Sequence, residues 1–478
     1  IAAIIKAPVD LLWFGGIGTY VRGSGETDAD AGDKANDAVR ATANHLRARV
    51  VGEGANLAVT QRGRIEYAAR GGRINTDAID NSAGVNTSDV EVNIKIALGT
   101  AMAAGKLDLP GRNAQLKAMT DAVAAMVLRN NYLQTLALSL AEREGLGDLG
   151  FQRRLMQSLE AKGLLDRQVE ALPSDAAMVE RFQASAPLTR PELAMLLAYA
   201  KIDLENLLTH SSIPDDPYFG RALLRYFPAL MRERFSAEIE RHPLRREIVA
   251  TGLANEIVNR GGPTFVVRLV DETGHAPEDV AYAFAAVMSV YDVAAVCADI
   301  DALDGVVDGV KQLDLYRKVQ DLLRRQTAWF LRHGLSEVSL GEEIERYREG
   351  VSFIGGNLDA ILPEPARQGV ARERQALEAI GVPKELAAHL STLDPLSQAL
   401  DAILVANASK VPLDLSARTI FAIRDWFRLD ALAAAGEALA NGDYFERLAI
   451  NSSIAAASAT QRAIARAVFL NGTAAGGF

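Results

Sequence analysis

Apolar residues in the first 95 positions fall in short runs that are separated by glycine-rich turns. Three of these runs, Val9–Trp13, Arg49–Val51 and Arg73–Thr76, have the length of β-strands. Between them, Asp33–Arg47 and Gln61–Ala69 carry apolar residues at helical spacing. Strands and helices in this order predict a parallel sheet, because parallel strands need long crossover connections. A segment of this size makes about half of a doubly wound domain.

From about residue 90 onward the pattern changes to amphipathic stripes that predict helices nearly throughout. A capping box at Thr189 and Glu192 starts one helix and is followed by the apolar run Leu193–Ala200. Pro243–Arg260 carries an i, i+4 apolar stripe that ends at a pair of glycines. Further helices are predicted over Pro277–Ala298, Leu313–Arg332 and Ala417–Ala440, and a frayed end over Asn471–Phe478.

The predicted fold class is mixed, with a partial α/β, Rossmann-like segment followed by a large, mostly α-helical region. We place the parallel sheet in residues 1–95, connecting helices in residues 96–180, and a C-terminal helical domain in residues 181–478. No repeat of fixed period is present, which disfavours a solenoid.

The charge balance restricts the class of protein. Apolar residues make up 49% of the chain and charged residues 23%, which is typical of a soluble globular protein. The formal net charge of −10 argues against a protein that binds duplex DNA, because such a protein presents a basic face. We therefore expect no nucleic-acid partner.

The single cysteine and the scattered histidines exclude several kinds of site. Cys297 cannot form an internal disulfide, so a reducing compartment is favoured, and its apolar neighbours predict a small core residue. The apolar stretch Val280–Ala298 is broken by Asp292, which predicts a buried helix rather than a membrane span. The six histidines form no H-x-x-x-H pair, so we expect no metal site.

A glycine- and asparagine-containing loop follows the second predicted strand. Gly52 and Gly54 come directly after the apolar run, and Asn56 lies in the same loop. Glycine lets a backbone approach a flat ligand closely, and an asparagine amide offers both donors and an acceptor. Because parallel strands deliver their carboxyl ends to one edge, this loop is expected to line the ligand crevice.

The third strand delivers a second polar set to the same edge, starting with Asp77 and Asn81. Gly84 and Val85, followed by Ser88, resemble a turn that enters a helix, where the helix amino end attracts a carboxylate. The same residue types also cluster in ordinary turns, so spacing leaves both a structural and a binding interpretation open. Amides and a hydroxyl orient ligands but do not take a proton from an amine at neutral pH. No catalytic residue is predicted in this chain.

These loops carry a resemblance to the end of the nucleotide-binding domain of glutamate dehydrogenases. That family has an E-G-A-N turn after one strand and a D-x-x-x-N-x-G-G-V-x-x-S-x-x-E motif after the next. Glu53–Asn56 match the turn. The motif is matched, without a gap, at Asp77, Asn81, Gly84, Val85, Ser88 and Glu91. Flanking text such as PVDLLWFGGIGTYV and TRPELAMLLAYAKI is similar to the very large NAD-specific subfamily, over at least residues 1–330.

The resemblance implies a role for each matched residue. The cofactor-binding residues that it implies for NAD are Gly15, Gly16, Gly54, Asn56 and Asn81. Val85 and Ser88 would face the glutamate side chain, with the Ser88 hydroxyl near its terminal carboxylate. Ala83 departs from the pattern, because compact members of the family usually have glycine there.

Other parts of the family pattern have no counterpart in the sequence. The catalytic lysine and the proton-carrying carboxylate are absent, and Gly15-Gly16-Ile17-Gly18 lacks the last glycine of a pyrophosphate-binding turn. The acidic residue that selects NAD is absent too, so the choice of NAD rests on the subfamily. Because the sequence starts at Ile1 and lacks these parts, we expect a piece of a longer enzyme that is inactive alone.

The implied activity is oxidative deamination of L-glutamate to 2-oxoglutarate and ammonia with NAD, in a cytoplasmic homo-oligomer. Residues 1–95 would be the C-terminal half of the NAD-binding domain, residues 96–180 would complete the catalytic core, and together they would supply one wall of the cleft. A second interpretation is that the helical part is chiefly a regulatory or oligomer-assembly module. The sequence alone leaves both interpretations open.

Overall fold

The computed structural model describes residues 1–334, 339–439 and 443–470. They form two compact units, Ile1–Thr264 and Phe265–Phe478. The predicted frayed end, 471–478, lies outside the described residues. The predicted fold class is confirmed, since a small set of parallel strands is followed by helices. The predicted domain boundaries, after residues 95 and 180, stay a prediction.

The first unit contains all four described strands. These are β1 (Leu11–Phe14), β2 (Val21–Arg22), β3 (Ala41–Thr42) and β4 (Val50–Glu53). Its helices are α1 (Ala2–Ile5), α2 (Asp28–Ala31), α3 (Gln61–Ala69), α4 (Asp77–Asp80), α5 (Ser82–Ala103), α6 (Leu109–Ala118), α7 (Thr120–Glu144), α8 (Leu149–Ala161), α9 (Asp175–Gln183), α10 (Arg190–His210), α11 (Gly220–Arg225), α12 (Ala229–Arg234), α13 (Ser236–Glu240) and α14 (Arg245–Gly261). Short 3-10 helices span Lys34–Val39, Ala43–His45, Gly145–Asp148, Ile213–Asp215 and Pro217–Phe219.

The second unit is helical throughout its described residues. Its helices are α15 (Phe265–Thr273), α16 (Pro277–Val290), α17 (Val293–Asp301), α18 (Gly309–His333), α19 (Leu340–Gly356), α20 (Leu358–Ile361), α21 (Glu364–Ala379), α22 (Lys384–Leu396), α23 (Ala399–Ser409), α24 (Leu413–Trp426), α25 (Leu429–Leu439) and α26 (Tyr444–Leu470). Cys297 is buried in α17, as predicted.

The predicted parallel pairing is confirmed for the first two runs. Strand β1 pairs in parallel with β4, in a register that sets Leu11 beside Val50 and Phe14 beside Glu53. Leu12 and Phe14 point into a core that surrounds the strands, because alternate residues of a strand face opposite sides. The carboxyl ends of β1 and β4 therefore meet at one edge.

The helix predicted over Asp33–Arg47 is wrong. Its middle forms β3, which pairs in parallel with β2 and is flanked by two 3-10 helices. Helical spacing is overridden by tertiary contacts: the Asp33 carboxylate accepts a hydrogen bond from the Thr19 amide at 2.8 Å, and the Arg40 side chain donates to the Thr19 carbonyl at 2.9 Å. These bonds hold the segment against β2, where an α-helix would not pair.

The strand predicted over Arg73–Thr76 is reduced to a single bridge. Arg73 pairs with the start of β4, its carbonyl accepting from the Val51 amide at 2.9 Å. The chain then leaves the ladder, because the Asn75 side chain donates to Asp80 at 2.7 Å and Thr76 is the residue before α4. Two predicted helices are also interrupted: Asp292 separates α16 from α17, and the second break lies between α24 and α25.

Helices α3, α14 and α18 are confirmed with nearly the predicted bounds, and α10 begins at the predicted capping box but continues past the predicted apolar run to His210. The Glu192 carboxylate of the capping box accepts the Thr189 amide at 2.7 Å. In the described residues, no single helix is long and apolar enough to cross a membrane. Only α16 and α17 taken together meet that length and composition, and they are bent by 69° at their junction.

Candidate functional site

The loops after β1 and β4 lie side by side at the carboxyl edge of the strands. Gly15 and Gly16 follow Phe14, and Gly54 follows Glu53, the residue that pairs with Phe14. The Ala55 amide donates to the Phe14 carbonyl at 3.0 Å, so the two loops are tied together just past the strands. The structure thus brings the predicted glycine positions to one edge.

A flat group does lie against Gly52, which the structure places inside β4, and against Gly54 of the second loop, and it belongs to the chain itself. A methyl group added at Gly54 would lie 2.3 Å from the Trp13 ring, and one added at Gly52 would lie 2.6 Å from it. Real side-chain carbons do not approach this closely, so a side chain at either position would force the indole to move. The close approach that we predicted at Gly54 therefore admits the indole of Trp13, which is itself 57% exposed.

The loop 53–57 is fastened by carboxylates from the next motif. The Asp80 carboxylate accepts the Glu53 amide at 2.9 Å, and the Asp77 carboxylate accepts the Leu57 amide at 2.8 Å. Burial raises the pKa of Asp80, whereas its hydrogen bonds from Asn75 and from the Glu53 amide lower it. Asp77, a matched residue of the family motif, therefore holds the loop in place rather than facing a ligand.

A buried ion pair supports the same loop from behind. The Arg64 guanidinium donates to both carboxylate oxygens of Glu53, at 2.7 and 2.9 Å, and lies 3.0 Å from Asp77. The Val59 amide also donates to Glu53, at 3.0 Å. Burial raises the pKa of Glu53, and the Arg64 guanidinium acts in the opposite direction. The Arg64 side chain in α3 thus holds the loop 53–57 through Glu53 and Asp77.

The two asparagines predicted to share a site are in direct contact. The Asn81 side-chain amide donates to the side-chain oxygen of Asn56. Asn56 lies at the tip of its loop, beside Leu57, which has a positive φ of 56°. Asn81 lies at the junction between α4 and α5. The structure therefore brings together the two loops that the sequence singled out.

The turn predicted at Gly84 and Val85 is wrong in position. The chain turns at Asn81, and Gly84 and Val85 already lie in the first turn of α5. Asn81, Val85 and Ser88 are spaced i, i+4 and i+7, which places them along one side of the helix. Val85 is 64% exposed, and Ser88 is exposed as well. The Cα atoms of Asn81 and Ser88 are separated by about 10 Å along the axis, at 1.5 Å per residue.

Three residues that build this edge were missed by the sequence reasoning. The Asn131 side chain in α7 donates to the Ile79 carbonyl at 2.7 Å and to the Ser82 hydroxyl at 2.8 Å, and so holds the α4–α5 junction. Arg190, the first residue of α10, donates to Asn75 and to the Thr135 carbonyl. Asp80 is the one of these three residues that the sequence could have pointed to, because it lies inside the matched motif, next to Asn81.

The site offers amides, a hydroxyl and backbone, and its nearby acids are engaged. Glu53, Asp77 and Asp80 all accept hydrogen bonds from the loop or from Arg64. In the described part of the chain, the side-chain amides of Asn56 and Asn81 make one hydrogen bond, the one that joins them. The remaining donors and acceptor suit a carboxamide or a ribose hydroxyl. The arrangement can orient a ligand, but the described residues around it include no free base.

Family comparisons agree with this arrangement along the chain. Residues 1–141 match the family model for the bacterial NAD-glutamate dehydrogenase catalytic domain. Residues 185–476, more than half of the chain, match the model for the glutamate dehydrogenase C-terminal region. The chain belongs to the glutamate dehydrogenase family. All the predicted site residues lie in the part that matches the bacterial catalytic-domain model.

Curated members of this family are similar to the chain over most of its length. The NAD-specific glutamate dehydrogenase of Pseudomonas aeruginosa is 46% identical over 407 residues, which are 84% of the chain and 25% of that relative. The enzyme of that name from Halomonas elongata is 43% identical over 85% of the chain and 25% of the relative. The one from Mycobacterium tuberculosis is 37% identical over 94% of the chain and 28% of the relative. The chain thus spans about a quarter of the length of the glutamate dehydrogenases that it matches.

Proposed function

We propose that the chain is part of an enzyme that oxidatively deaminates L-glutamate to 2-oxoglutarate and ammonia with NAD. The names of the three relatives support this proposal. The observation that carries it is the hydrogen bond between Asn56 and Asn81, because it brings the two family motifs to one edge of the strands. When bound, NAD accepts the hydride that leaves the α-carbon of glutamate.

The cofactor wall is formed by the loops at the carboxyl edge of β1 and β4. Gly15 and Gly16 border the dinucleotide, and Gly54 lies beside them in the second loop, with the indole of Trp13 packed against it. Asn56 and Asn81 face the nicotinamide half, where their remaining amide groups match a carboxamide or a ribose hydroxyl. The residues present therefore fit the cofactor at this edge.

The substrate wall is the side of α5 that follows Asn81. Val85 packs against the carbon chain of glutamate, and the Ser88 hydroxyl donates to its terminal carboxylate. Both side chains are exposed on the same side of the helix as Asn81, which supports their access to a shared ligand. Asn81 and Ser88 thus lie at opposite ends of one cleft wall.

The chain by itself supplies only this wall, and we expect it to be inactive without the rest of the enzyme. Removing the amine proton of glutamate requires a group that accepts a proton, whereas the α-hydrogen leaves as a hydride to NAD. Asp77 and Asp80, the acids beside the candidate site, are held by hydrogen bonds within the loop. Glutamate-dependent NADH formation by the purified chain alone would contradict this part of the proposal.

The role of Ser88 is tested by Ser88→Ala in the enzyme that contains this chain. Loss of a buried polar partner costs about 1–3 kcal/mol, so the KM for glutamate should rise by about 5- to 150-fold. The KM for NAD should change little, because the hydroxyl faces only the substrate. Steady-state kinetics with each substrate varied in turn measures both values.

The matched control is Thr87→Ala, one position earlier in α5. The Thr87 hydroxyl donates to the Ala83 carbonyl of its own helix at 2.7 Å and is not part of the proposed wall. Thr87→Ala should leave both KM values near those of the parent enzyme. An equal rise for glutamate and NAD in Ser88→Ala would show that Ser88 supports the fold instead of binding the substrate.

A second function, oligomer assembly, is favoured by one observation in the C-terminal unit. Helix α25 buries none of its residues, although its sequence is mostly apolar. Leu432 and Leu439 lie seven positions apart, on one side of the helix, and are 60% and 71% exposed. An exposed apolar side of this kind marks an interaction surface. We therefore propose that α25 contacts a second copy of the chain.

A further inference from the structure

The opposite end of the strands carries a cleft that none of the proposed site residues line. Asp10, Arg49 and Val50 border it where β1 and β4 begin, whereas Gly54 and Asn56 follow the strand ends. The cleft has a volume of about 530 Å³. Pockets for small molecules have volumes of about 300–1,000 Å³, so a compact ligand fits here.

Arginines dominate the rim of this cleft. Arg47, Arg49, Arg70 and Arg73 line it, and Asp10 is the single acid among the lining residues. Four guanidinium groups against one carboxylate leave an excess of three positive charges. The chain as a whole carries a formal net charge of −10, so this concentration of positive charge runs against its overall balance. Such a local excess attracts an anion.

The guanidinium groups keep most of their donors available. The Arg47 Nε atom donates to the Lys6 carbonyl. The Arg49 Nη1 atom contacts the Asp10 carboxylate, in a pair that is almost fully exposed. Within the described residues, the side chains of Arg70 and Arg73 bond to no other group, and both are exposed. A guanidinium presents a planar fork of donors that matches phosphate oxygens in pairs.

The main chain and the charge of the ligand narrow the class of ligand further. The amides of Gly71 and Gly72 are already used, by the carbonyls of Ala68 and Tyr67. These two glycine amides are therefore not free for an anion, so the binding falls to the guanidinium groups. A carboxylate brings one charge, whereas a diphosphate brings about three within a few ångströms. The cleft thus matches a compact diphosphate better than a carboxylic acid.

We propose that this arginine cleft binds a small molecule that carries a diphosphate group. It lies at the opposite end of β4 from Asn56, so its ligand is separate from the NAD that we assign to the other edge. A diphosphate held here contacts Arg49 at the start of β4 and Arg73, whose backbone pairs with that strand. The cleft is therefore a second binding site on the same pair of strands.

Isothermal titration of the 478-residue chain with inorganic pyrophosphate tests the proposal. The chain should bind one pyrophosphate, and Arg70→Gln/Arg73→Gln should weaken binding by about tenfold or more, because two charge-assisted contacts are lost. The control, Arg62→Gln/Arg221→Gln, removes two exposed arginines outside the cleft and should change the affinity by less than about twofold. Thermal melting of each variant verifies that it is folded.

Three results would overturn the proposal. The first is an absence of binding by the parent chain, and the second is an equal loss in both double variants, which would indicate diffuse charge attraction. The third is a loss of pyrophosphate binding in Asn56→Ala/Asn81→Ala, which should bind it like the parent chain; such a loss would place the bound pyrophosphate in the dinucleotide site at the other edge. The proposed glutamate dehydrogenase function would survive each of these results, because it depends on Asn56, Asn81 and Ser88.

Discussion

Glu53 and Arg64 form a buried ion pair directly behind the loop that carries Asn56. Glu53 is 0% exposed and Arg64 is 4% exposed, and both carboxylate oxygens accept from the guanidinium. Removing one partner of such a pair leaves a buried charge without compensation. The pair therefore determines both the stability of the first unit and the position of the candidate site.

Arg64→Met is expected to lower the free energy of unfolding of the first unit by about 3–5 kcal/mol, because Glu53 would stay buried without its partner. Urea denaturation followed by circular dichroism measures the change. Arg62→Met, an exposed arginine two positions earlier in α3, is the matched control and should have a much smaller effect. Similar losses for both variants would show that the pair contributes little.

At the level of single residues, the sequence predicted the matched positions but not all of their partners. Asn56 and Asn81 were expected at one edge, and they are bonded to each other. Asn131 was not foreseen, because the residue it holds, Ile79, lies 52 positions earlier. Asp77 occupies a position of the family motif, yet its carboxylate fastens the loop 53–57 by accepting the Leu57 amide. Motif matching finds the positions that are shared, and only the fold shows which of them face a ligand.

Helix α10 contains a buried lysine that no other group compensates. The Nζ atom of Lys201 is buried and has no hydrogen-bond partner among the described residues. Burial lowers the pKa of Lys201 to about 7, from an ordinary value of 10.5. The unfolded chain therefore binds more protons than the folded chain between these two pH values. Below pH 7 the lysine destabilises the fold, and this penalty disappears as the pH approaches 10.5.

Lys201→Met should therefore stabilise the first unit by about 1–4 kcal/mol at or below pH 7, with a gain that shrinks as the pH rises. Methionine keeps a long, flexible chain in the same space. Chemical denaturation of both proteins from pH 6 to pH 10 measures the difference. Lys117→Met, at an exposed position of α6, should show no such dependence on pH. A gain that does not vary with pH would point to packing rather than charge.

Regular helices were predicted well, and their interruptions were not. The stripes of α10, α14 and α18 are long enough for local periodicity to decide the structure. Asp292 interrupts an equally apolar run because its backbone adopts a left-handed conformation, with φ 46°. The predicted helix over Asp33–Arg47 was lost to pairing with β2. Local patterns do not report partners that are distant in sequence.

The whole chain divides at residue 264, directly after the Gly261-Gly262-Pro263 segment that ends α14. Thr264 bonds to Asp148 in the first unit, at 3.0 Å, and Phe265 stacks edge-on against Phe284 in the second. The helix α14 ends just before this point, at Gly261. The division depends on which core each neighbouring residue joins. Hydropathy patterns along the chain do not contain that information.

Assembly through α25 predicts that polar substitutions on its exposed side lower the mass of the oligomer. If its exposed side contacts a second copy, Leu432→Ser/Leu439→Ser should shift the 478-residue chain toward the monomer in sedimentation velocity, because the apolar area that drives association is lost. Leu470→Ser, at a position in α26 that is 79% exposed, should leave the sedimentation coefficient unchanged. A parent chain that is already monomeric, or a double variant that sediments like the parent, would remove the support for this function.

The indole of Trp13 lies where side chains at positions 52 and 54 would otherwise be. The three positions are therefore coupled. A relative with alanine at either glycine position needs a smaller residue opposite, a displaced indole, or strands that lie further apart. Replacements in relatives at this edge are therefore expected to occur jointly at the three positions.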